Sequence, residues 1–195
     1  MATTISAKPA AWRVPDNVGR AVHCMTLDET RDLLKPTLLQ YPKSRRASMK
    51  EVWFPGADSD VGGGYFNDAL ARVTLAFMWK NWDCALAAQQ LTSLQWRNDL
   101  VAQYSTTAGP PWLRHQQPGF TASVGGASPR TLAPCTGEAP RVHPGVDQFV
   151  QHGGLQFCIE SAGFPPARTV SFPVYQPLAY PGADRVERYD TTTCN

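Results

Sequence analysis

The sequence predicts an α/β domain in which a partial sheet with helices is followed by a loop-dominated region. Three observations favour this class. A β-type run at 51–54 stops at Pro55-Gly56, and the three consecutive glycines at 62–64 follow it. An apolar pattern with helical spacing then begins near Ala69. Twelve of the seventeen prolines lie from Pro110 onward, so regular structure is expected mainly in the first half.

Composition and charge exclude several classes of protein. The 195 residues suit one domain, which divides by pattern into 1–16, 17–104 and 105–195. With 43% apolar residues the chain can form a core, whereas 17 prolines and 15 glycines argue against an all-helical bundle. A net charge of +2 gives no reason to expect a nucleic-acid partner.

The first helix signal stands near residue 26. Thr26 followed by Glu29 has the spacing of a capping box, and Pro36 would end the helix that begins there. The β-type run of 51–54 comes next.

The segment from Asp58 to Tyr65 carries the strongest local pattern. Asp58 and Asp60 resemble the opening of a calcium loop, but Gly62 and Ala69 stand where that loop needs ligands. A phosphate cradle is weakly supported because neither G-K-[ST] nor G-x-G-x-x-G is present. A strand, a tight turn and a helix also form the architecture on which α/β enzymes place catalytic side chains. No metal or other cofactor is expected.

The second helix is predicted over 69–91. Leu70, Val73 and Phe77 recur at three- and four-residue spacing, which is typical of a buried face. Beyond it, 105–144 is a long loop, 155–160 and 170–174 are short strands, and 189–195 is a frayed tail.

The five cysteines are scattered and never form a C-x-x-C pair, so reduced and mostly buried thiols are expected. A Cys135–Cys158 pair stays open. The N-terminus has no secretory apolar segment and no stretch is long enough to span a bilayer, so the compartment is unknown: cytoplasmic, or exported by a route other than general secretion.

No candidate nucleophile has the expected context. A G-x-S-x-G elbow is absent, and the segment 126–130 lacks the second glycine and a preceding strand. Among the four histidines, His23 is the most interesting because it precedes Asp28 and Glu29. The residues available for acid–base chemistry are therefore His23, Asp28, Asp58 and Asp60.

Three stretches, 22–36, 51–65 and the helix from Ala69, occur in an order that resembles one family. The family is the α/β-hydrolase domain of type VI secretion phospholipase effectors and their uncharacterised bacterial and fungal relatives. A fainter similarity continues through 141–144. The motif residues that carry the resemblance are Trp53, Phe54, Gly56, Gly62, Gly63, Gly64 and Tyr65.

The resemblance implies an α/β-hydrolase fold, a Ser-Asp-His triad and ester hydrolysis of phospholipids. The serine elbow and the acid of that family lie upstream of every matched stretch and have no counterpart here. Asp58 stands at the family's histidine position, and a carboxylate with a reference pKa of about 3.9 is a poor general base near neutral pH.

The sequence thus predicts a partial hydrolase-like region at 17–104, with 105–195 as its proline- and glycine-rich remainder. A truncated, split or degenerate lipase, inactive alone and needing a partner chain with serine and acid, is the first hypothesis. Its free strands predict an exposed sheet edge and poor solubility. A non-catalytic module that binds an immunity protein or a lipid surface is the second. An acid–base enzyme using His23, Asp28, Asp58 and Asp60 is the third.

Overall fold

The computed structural model describes residues 11–65, 68–97, 99, 113–116, 126, 128, 130, 132, 137–152, 154–158, 168–172 and 185–194. The strands are β1 (Ala11–Arg13), β2 (Ala21–Thr26), β3 (Leu38–Gln40), β4 (Met49–Phe54), β5 (Leu113–Gln116), β6 (Arg141–Val142), β7 (Gly154–Cys158), β8 (Arg168–Phe172) and β9 (Glu187–Arg188). The α-helices are α1 (Asp58–Gly62), α2 (Ala69–Ala88) and α3 (Gly145–His152), and short 3-10 turns occupy Asp32–Leu34 and Lys43–Arg45. Helices and strands therefore mix as expected for an α/β protein.

The main sheet has four parallel strands in the order β2-β4-β6-β9. Along the chain, each later strand is added on the same side, so β2 stands at one edge of the sheet among the described residues. Two smaller sheets pair β1 with β3 in parallel, and β7 with β5 in parallel and with β8 antiparallel.

Strand β4 lies inside the main sheet and every one of its six residues is buried. On one face, Val52 and Phe54 pack against Val61 and Phe77 of the helices α1 and α2. On the other, Trp53 packs in a second cluster whose members are Met25, Leu27, Val142, Val146 and Val186. The β-type run predicted at 51–54 is confirmed as part of β4, which is covered on both faces.

Helix α2 is also confirmed, and it ends at Ala88. The helix predicted from a capping box at Thr26 is wrong, because Thr26 is the last residue of β2 and pairs with Phe54. Six consecutive parallel pairs with β4 outweigh a local capping preference, and only the 3-10 turn Asp32–Leu34 remains of the expected helix.

The C-terminal segment is tied to α2. A disulfide joins Cys84 and Cys194 across 110 residues of sequence, so the expected frayed tail and wholly reduced thiols are wrong. Lys80 of the helix also donates a hydrogen bond to the carbonyl of Thr191. The disulfide left open between Cys135 and Cys158 lies outside the described residues, as does most of the loop predicted over 105–144. The predicted strands 155–160 and 170–174 correspond to β7 and β8.

Candidate functional site

The carboxyl ends of β2, β4 and β6 lie at the same edge of the parallel sheet. Asp28 follows β2 by two residues, Asp58 opens α1 after β4, and His143 comes directly after β6. Side chains at this edge of an open α/β sheet are the usual location of binding and catalytic groups.

Asp28 is held against the turn that follows β4. Its Oδ2 accepts a 2.6 Å hydrogen bond from the Gly56 amide, and its own amide donates to the Gly56 carbonyl at 3.1 Å. This reciprocal pair of hydrogen bonds links the end of β2 to the end of β4. The Asp28 carboxylate therefore stabilises the backbone of the turn.

Asp60 also stabilises the turn after β4. Its side chain is buried, and its Oδ2 accepts a 2.9 Å hydrogen bond from the Ala57 amide at the start of α1. Gly56 has φ of +106°, and a Cβ there would lie 2.5 Å from the Asp60 Cβ. The turn therefore requires glycine at 56 for both its backbone angle and its close contact with Asp60.

Asp58 is exposed at the first position of α1. Its amide donates to Glu29 Oε2 at 3.3 Å. Glu29 is itself buried, and Arg31 binds its carboxylate through Nε at 2.7 Å. Burial favours a raised pKa for Glu29, but the hydrogen bonds from Arg31 and the Asp58 amide outweigh it and lower the pKa. Glu29 is thus a charged anchor for the start of α1.

His23 is placed differently from the acids. On β2 it stands opposite Glu51 of β4, with its Nδ1 3.6 Å from Glu51 Oε1 and no hydrogen-bond partner for that nitrogen among the described residues. Glu51 Oε1 in turn accepts from the Leu39 amide of β3 at 2.7 Å. Strand alternation therefore directs His23 to the face that carries β3, whereas its neighbours Val22 and Cys24 pack on the face that carries α2.

A cleft of about 430 Å³ runs between the outer edge of β2 and the helices α1 and α2. His23 and Asp58 both border it, and Asp28 and Asp60 are not among its lining residues. Ala71, Leu75 and Met78 of α2 make most of its other wall. Of the four residues singled out for acid–base chemistry, His23 and Asp58 therefore border the cleft. Asp28 and Asp60 instead bond the backbone of the turn after β4.

The remaining motif residues shape the turn and the core. Gly63 and Gly64 have φ of +86° and +119°, values that favour glycine, and they lead the chain from α1 toward α2. Burial, followed by the charge of Asp60, raises the pKa of Tyr65, so its hydroxyl is a neutral group beside the turn. Trp53 and Phe54 belong to the two cores, and Gly62 ends α1.

His143 is a site residue to which sequence reasoning assigned no role. Its ring stacks on Phe54 with centroids 4.7 Å apart, and its Nδ1 accepts a 3.0 Å hydrogen bond from the Gly145 amide. Burial lowers its pKa to about 4, so the ring is neutral near pH 7 with its proton on Nε2. The signal in the sequence was a histidine and a proline directly after the short β-type pair Arg141-Val142.

Lys50 was also missed. It is 1% exposed in the middle of the α2 face, and its Nζ donates a 2.8 Å hydrogen bond to Asn81 Oδ1. Burial, together with the charges of Arg20, Arg141 and Lys80, lowers its pKa to about 8. The available signal was a lysine directly before the β-type run at 51–54. Lysine is rarely fully buried unless its ammonium has a partner.

No cluster of three or more His, Cys, Asp or Glu side chains that could hold a metal ion occurs among the described residues. In the same part of the chain, no helix combines the length and the apolar character needed to cross a bilayer.

Residues 3–81 match the family model described as T6SS, Phospholipase effector Tle1-like, catalytic domain. This segment is less than half of the 195 residues and contains β2, β4, α1 and most of α2. The resemblance to type VI lipase effectors is thereby confirmed for the first part of the chain. No curated protein matches the sequence. No solved structure matches it either.

Proposed function

We propose that this chain forms the part of a lipase-effector-type phospholipase domain that follows its nucleophile, and that it does not hydrolyse esters by itself. The family match over 3–81, the parallel sheet and the glycine turn after β4 support the proposal. These features suit a hydrolase-like scaffold, but the sequence has no G-x-S-x-G elbow to carry a nucleophile.

Asp58 is the observation that carries the proposal. It occupies the first turn of α1 at the carboxyl end of β4, on the border of the cleft of about 430 Å³, where the family resemblance implies a histidine. A carboxylate is too weak a base to activate a serine hydroxyl. The scaffold of the site is present, and its general base is absent.

The strand order of the main sheet suggests where a segment that completes such a site would pair. Because each later strand of the main sheet is added on one side, an additional parallel strand would pair with the outer edge of β2. Its carboxyl end would then lie beside Asp28 and Asp58, where a nucleophile is needed. We infer that the serine and the acid reach this edge from another segment of polypeptide, in the same or a separate chain.

A binding role is the second candidate. Leu75, Met78 and Trp82 lie on one stripe of α2 beside the same cleft and are 37%, 39% and 53% exposed. An apolar stripe of this kind suits a lipid surface or a partner protein. The acid–base alternative is disfavoured because Asp28 and Asp60 use their carboxylates on backbone amides.

One experiment separates these functions. The purified chain and its Asp58→His variant are incubated with phospholipid vesicles and with a short acyl ester, then labelled with a fluorophosphonate. We expect no turnover and no labelled serine in either protein, because restoring the histidine leaves the nucleophile missing. Cosedimentation of the chain with vesicles, lost in Trp82→Asp and kept in Leu33→Asp, would favour the binding role.

Turnover by the chain that the fluorophosphonate abolishes would contradict the proposed inactivity. Vesicle binding that is equal in the wild type and the Trp82→Asp variant would remove the α2 stripe as a lipid surface.

A further inference from the structure

A second cleft, of about 250 Å³, lies on the opposite side of α2 from the first. Its walls are α2, the residue after β6 and the C-terminal segment that the disulfide holds. The lining residues are Val73, Ala76, Phe77, Lys80, Asn81, His143, Tyr189, Thr191 and Thr193. One part of this wall is apolar and the other carries nitrogen and hydroxyl groups.

The polar part of the cleft is cationic. Lys80 is the one ionised side chain among the lining residues, and its ammonium has three N–H groups, one of which bonds the Thr191 carbonyl. Asp190, which precedes Thr191, is exposed and accepts from the amide and hydroxyl of Thr192 at 2.7 and 2.6 Å. These hydrogen bonds lower the pKa of Asp190, and the charge of Lys80 adds a smaller effect in the same direction. Two Lys80 N–H groups therefore have no acceptor recorded among the described residues.

A second positive charge lies directly behind the wall. Lys50 Nζ is 2.8 Å from Asn81 Oδ1 and 5.3 Å from the centroid of the Tyr189 ring. Asn81 Oδ1 also accepts from the Tyr189 hydroxyl at 3.3 Å, so both lining residues are linked to the buried ammonium. No ion pair with a carboxylate is recorded for Lys50 in the described part of the chain.

Two arginines lie close enough to Lys50 to act on its charge. The charges of Arg20 and Arg141 both act on Lys50, and Arg20 Nη1 is buried without a hydrogen-bond partner in the described part of the chain. Arg141 is compensated by Glu187, whose Oε1 is 3.3 Å from its Nε, but Lys50 and Arg20 have no such partner among the described residues. A buried cation that lacks a counter-charge favours an anion in accessible space near it. Asn81 and Tyr189, which line this cleft, both contact Lys50.

The apolar wall limits which anion fits. Val73, Ala76 and Phe77 present hydrocarbon along α2, and the neutral His143 ring adds an Nε2–H donor at the end of β6. An inorganic anion would leave this wall in contact with water, whereas a carboxylate with a short hydrocarbon tail would cover it.

We propose that the cleft between α2 and the C-terminal segment binds a monocarboxylate with an apolar tail, in the manner of a short fatty acid. The carboxylate lies at Lys80 with the field of Lys50 behind it, and the tail lies on Val73, Ala76 and Phe77. The proposal stands on this cleft alone, so it holds whether or not the first cleft belongs to a lipase site.

The test is calorimetric titration of the oxidised full chain at pH 7 with four probes: octanoate, acetate, octanol and octyltrimethylammonium. We expect saturable binding of octanoate, with acetate at least about tenfold weaker because it lacks the tail. Octanol should also bind at least about tenfold more weakly because it is neutral. The cationic probe should not bind because its charge has the same sign as Lys80.

Three variants test the placement. Lys80→Met should weaken octanoate binding about tenfold or more, Lys80→Arg should retain it, and the exposed Lys43→Met serves as the matched control with unchanged affinity. Circular dichroism of each variant reports that it is folded.

Equal octanoate affinity in folded Lys80→Met and wild type would overturn the proposal. So would octanol or the cationic probe binding as tightly as octanoate, since either result would show that hydrocarbon burial alone accounts for binding. An absence of octanoate binding by the oxidised wild type would also overturn it. None of these outcomes bears on ester hydrolysis at the first cleft.

Discussion

At the scale of single residues, the turn after β4 is fixed by two aspartates whose oxygens bond backbone amides. Asp28 accepts a hydrogen bond from the Gly56 amide, and Asp60 accepts one from the Ala57 amide. Carboxylates used in this way order a loop and position whatever follows it. The exposed Asp58, next along the chain, gains its position from both.

The replacement of Gly56 by alanine tests this turn. We expect Gly56→Ala to lower the free energy of unfolding by about 2–4 kcal/mol, because the new Cβ would lie 2.5 Å from the Asp60 Cβ and the φ of +106° strains any L residue. Urea denaturation followed by circular dichroism measures the change.

Gly62 supplies the control for that substitution. Nothing lies within 4 Å of a Cβ at Gly62, so Gly62→Ala should change the free energy of unfolding by less than about 1 kcal/mol. A Gly56→Ala protein as stable as Gly62→Ala would mean that the turn relaxes freely around Asp60.

At the scale of elements, α2 organises the face of the sheet. Its buried residues Leu70, Thr74, Phe77, Asn81 and Cys84 form one line, and a cleft opens on each side of that line. The cleft beside β2 is bordered by Leu75 and Met78, and the other is bordered by Lys80 and the tail. The same helix therefore contributes to both proposed binding surfaces.

The disulfide between α2 and the tail gives the element-scale prediction. Cys194→Ser should lower the free energy of unfolding by about 2–4 kcal/mol, because the bond closes a loop of 110 residues in the unfolded chain. Denaturation with and without a thiol reductant measures this difference.

The free thiol provides the matched comparison. Burial raises the pKa of Cys24 to about 12, and the structure records no disulfide for it. Cys24→Ala should therefore lose stability on reduction as the wild type does, whereas Cys194→Ser should not respond to reductant. Loss of the response in Cys24→Ala would assign the disulfide to a different pair.

At the scale of the whole molecule, the two cores on either side of β4 make unfolding sensitive to the charge of one buried ring. His143 lies against Phe54 and Phe77, and charging it would place a cation in the core that α2 covers. The pKa of about 4 in the folded protein is below the unfolded value of 6.5. The unfolded chain therefore takes up this proton first as the pH falls.

Global stability should consequently decline between pH 6.5 and about pH 4 as a result of His143. The shift corresponds to a loss of about 3 kcal/mol by the lower end of that window. The comparison is with His143→Asn, whose amide oxygen can replace Nδ1 as acceptor for the Gly145 amide. As the pH falls, the wild type should lose more unfolding free energy than His143→Asn does. A difference between the two proteins that stays constant with pH would contradict the assignment.

The elements predicted correctly from sequence are those whose local preference agrees with their tertiary surroundings. The run at 51–54 is β-forming and becomes part of a strand covered on both faces, and the periodic helix from Ala69 becomes α2. The failure at Thr26 has the opposite cause, since pairing with Phe54 overrides a helix cap.

Long-range contacts account for what the sequence did not predict. The Cys84–Cys194 pair and the contact of Lys50 with Tyr189 join positions more than a hundred residues apart, and no local pattern encodes them. Likewise, the side-chain direction of His23 follows from its register with Glu51, which no local pattern encodes. The candidate residues could be named from sequence, but their division between two surfaces could not.

The tethered tail also determines how the molecule must be prepared. A cystine persists in oxidising surroundings and is kept open in a reducing cytosol, so chain made in an ordinary bacterial cytoplasm will carry Thr191 and Thr193 on an untied end. These two residues form one wall of the cationic cleft. The redox state of the preparation is therefore a variable of ligand binding, to be fixed by mass spectrometry before any affinity is compared.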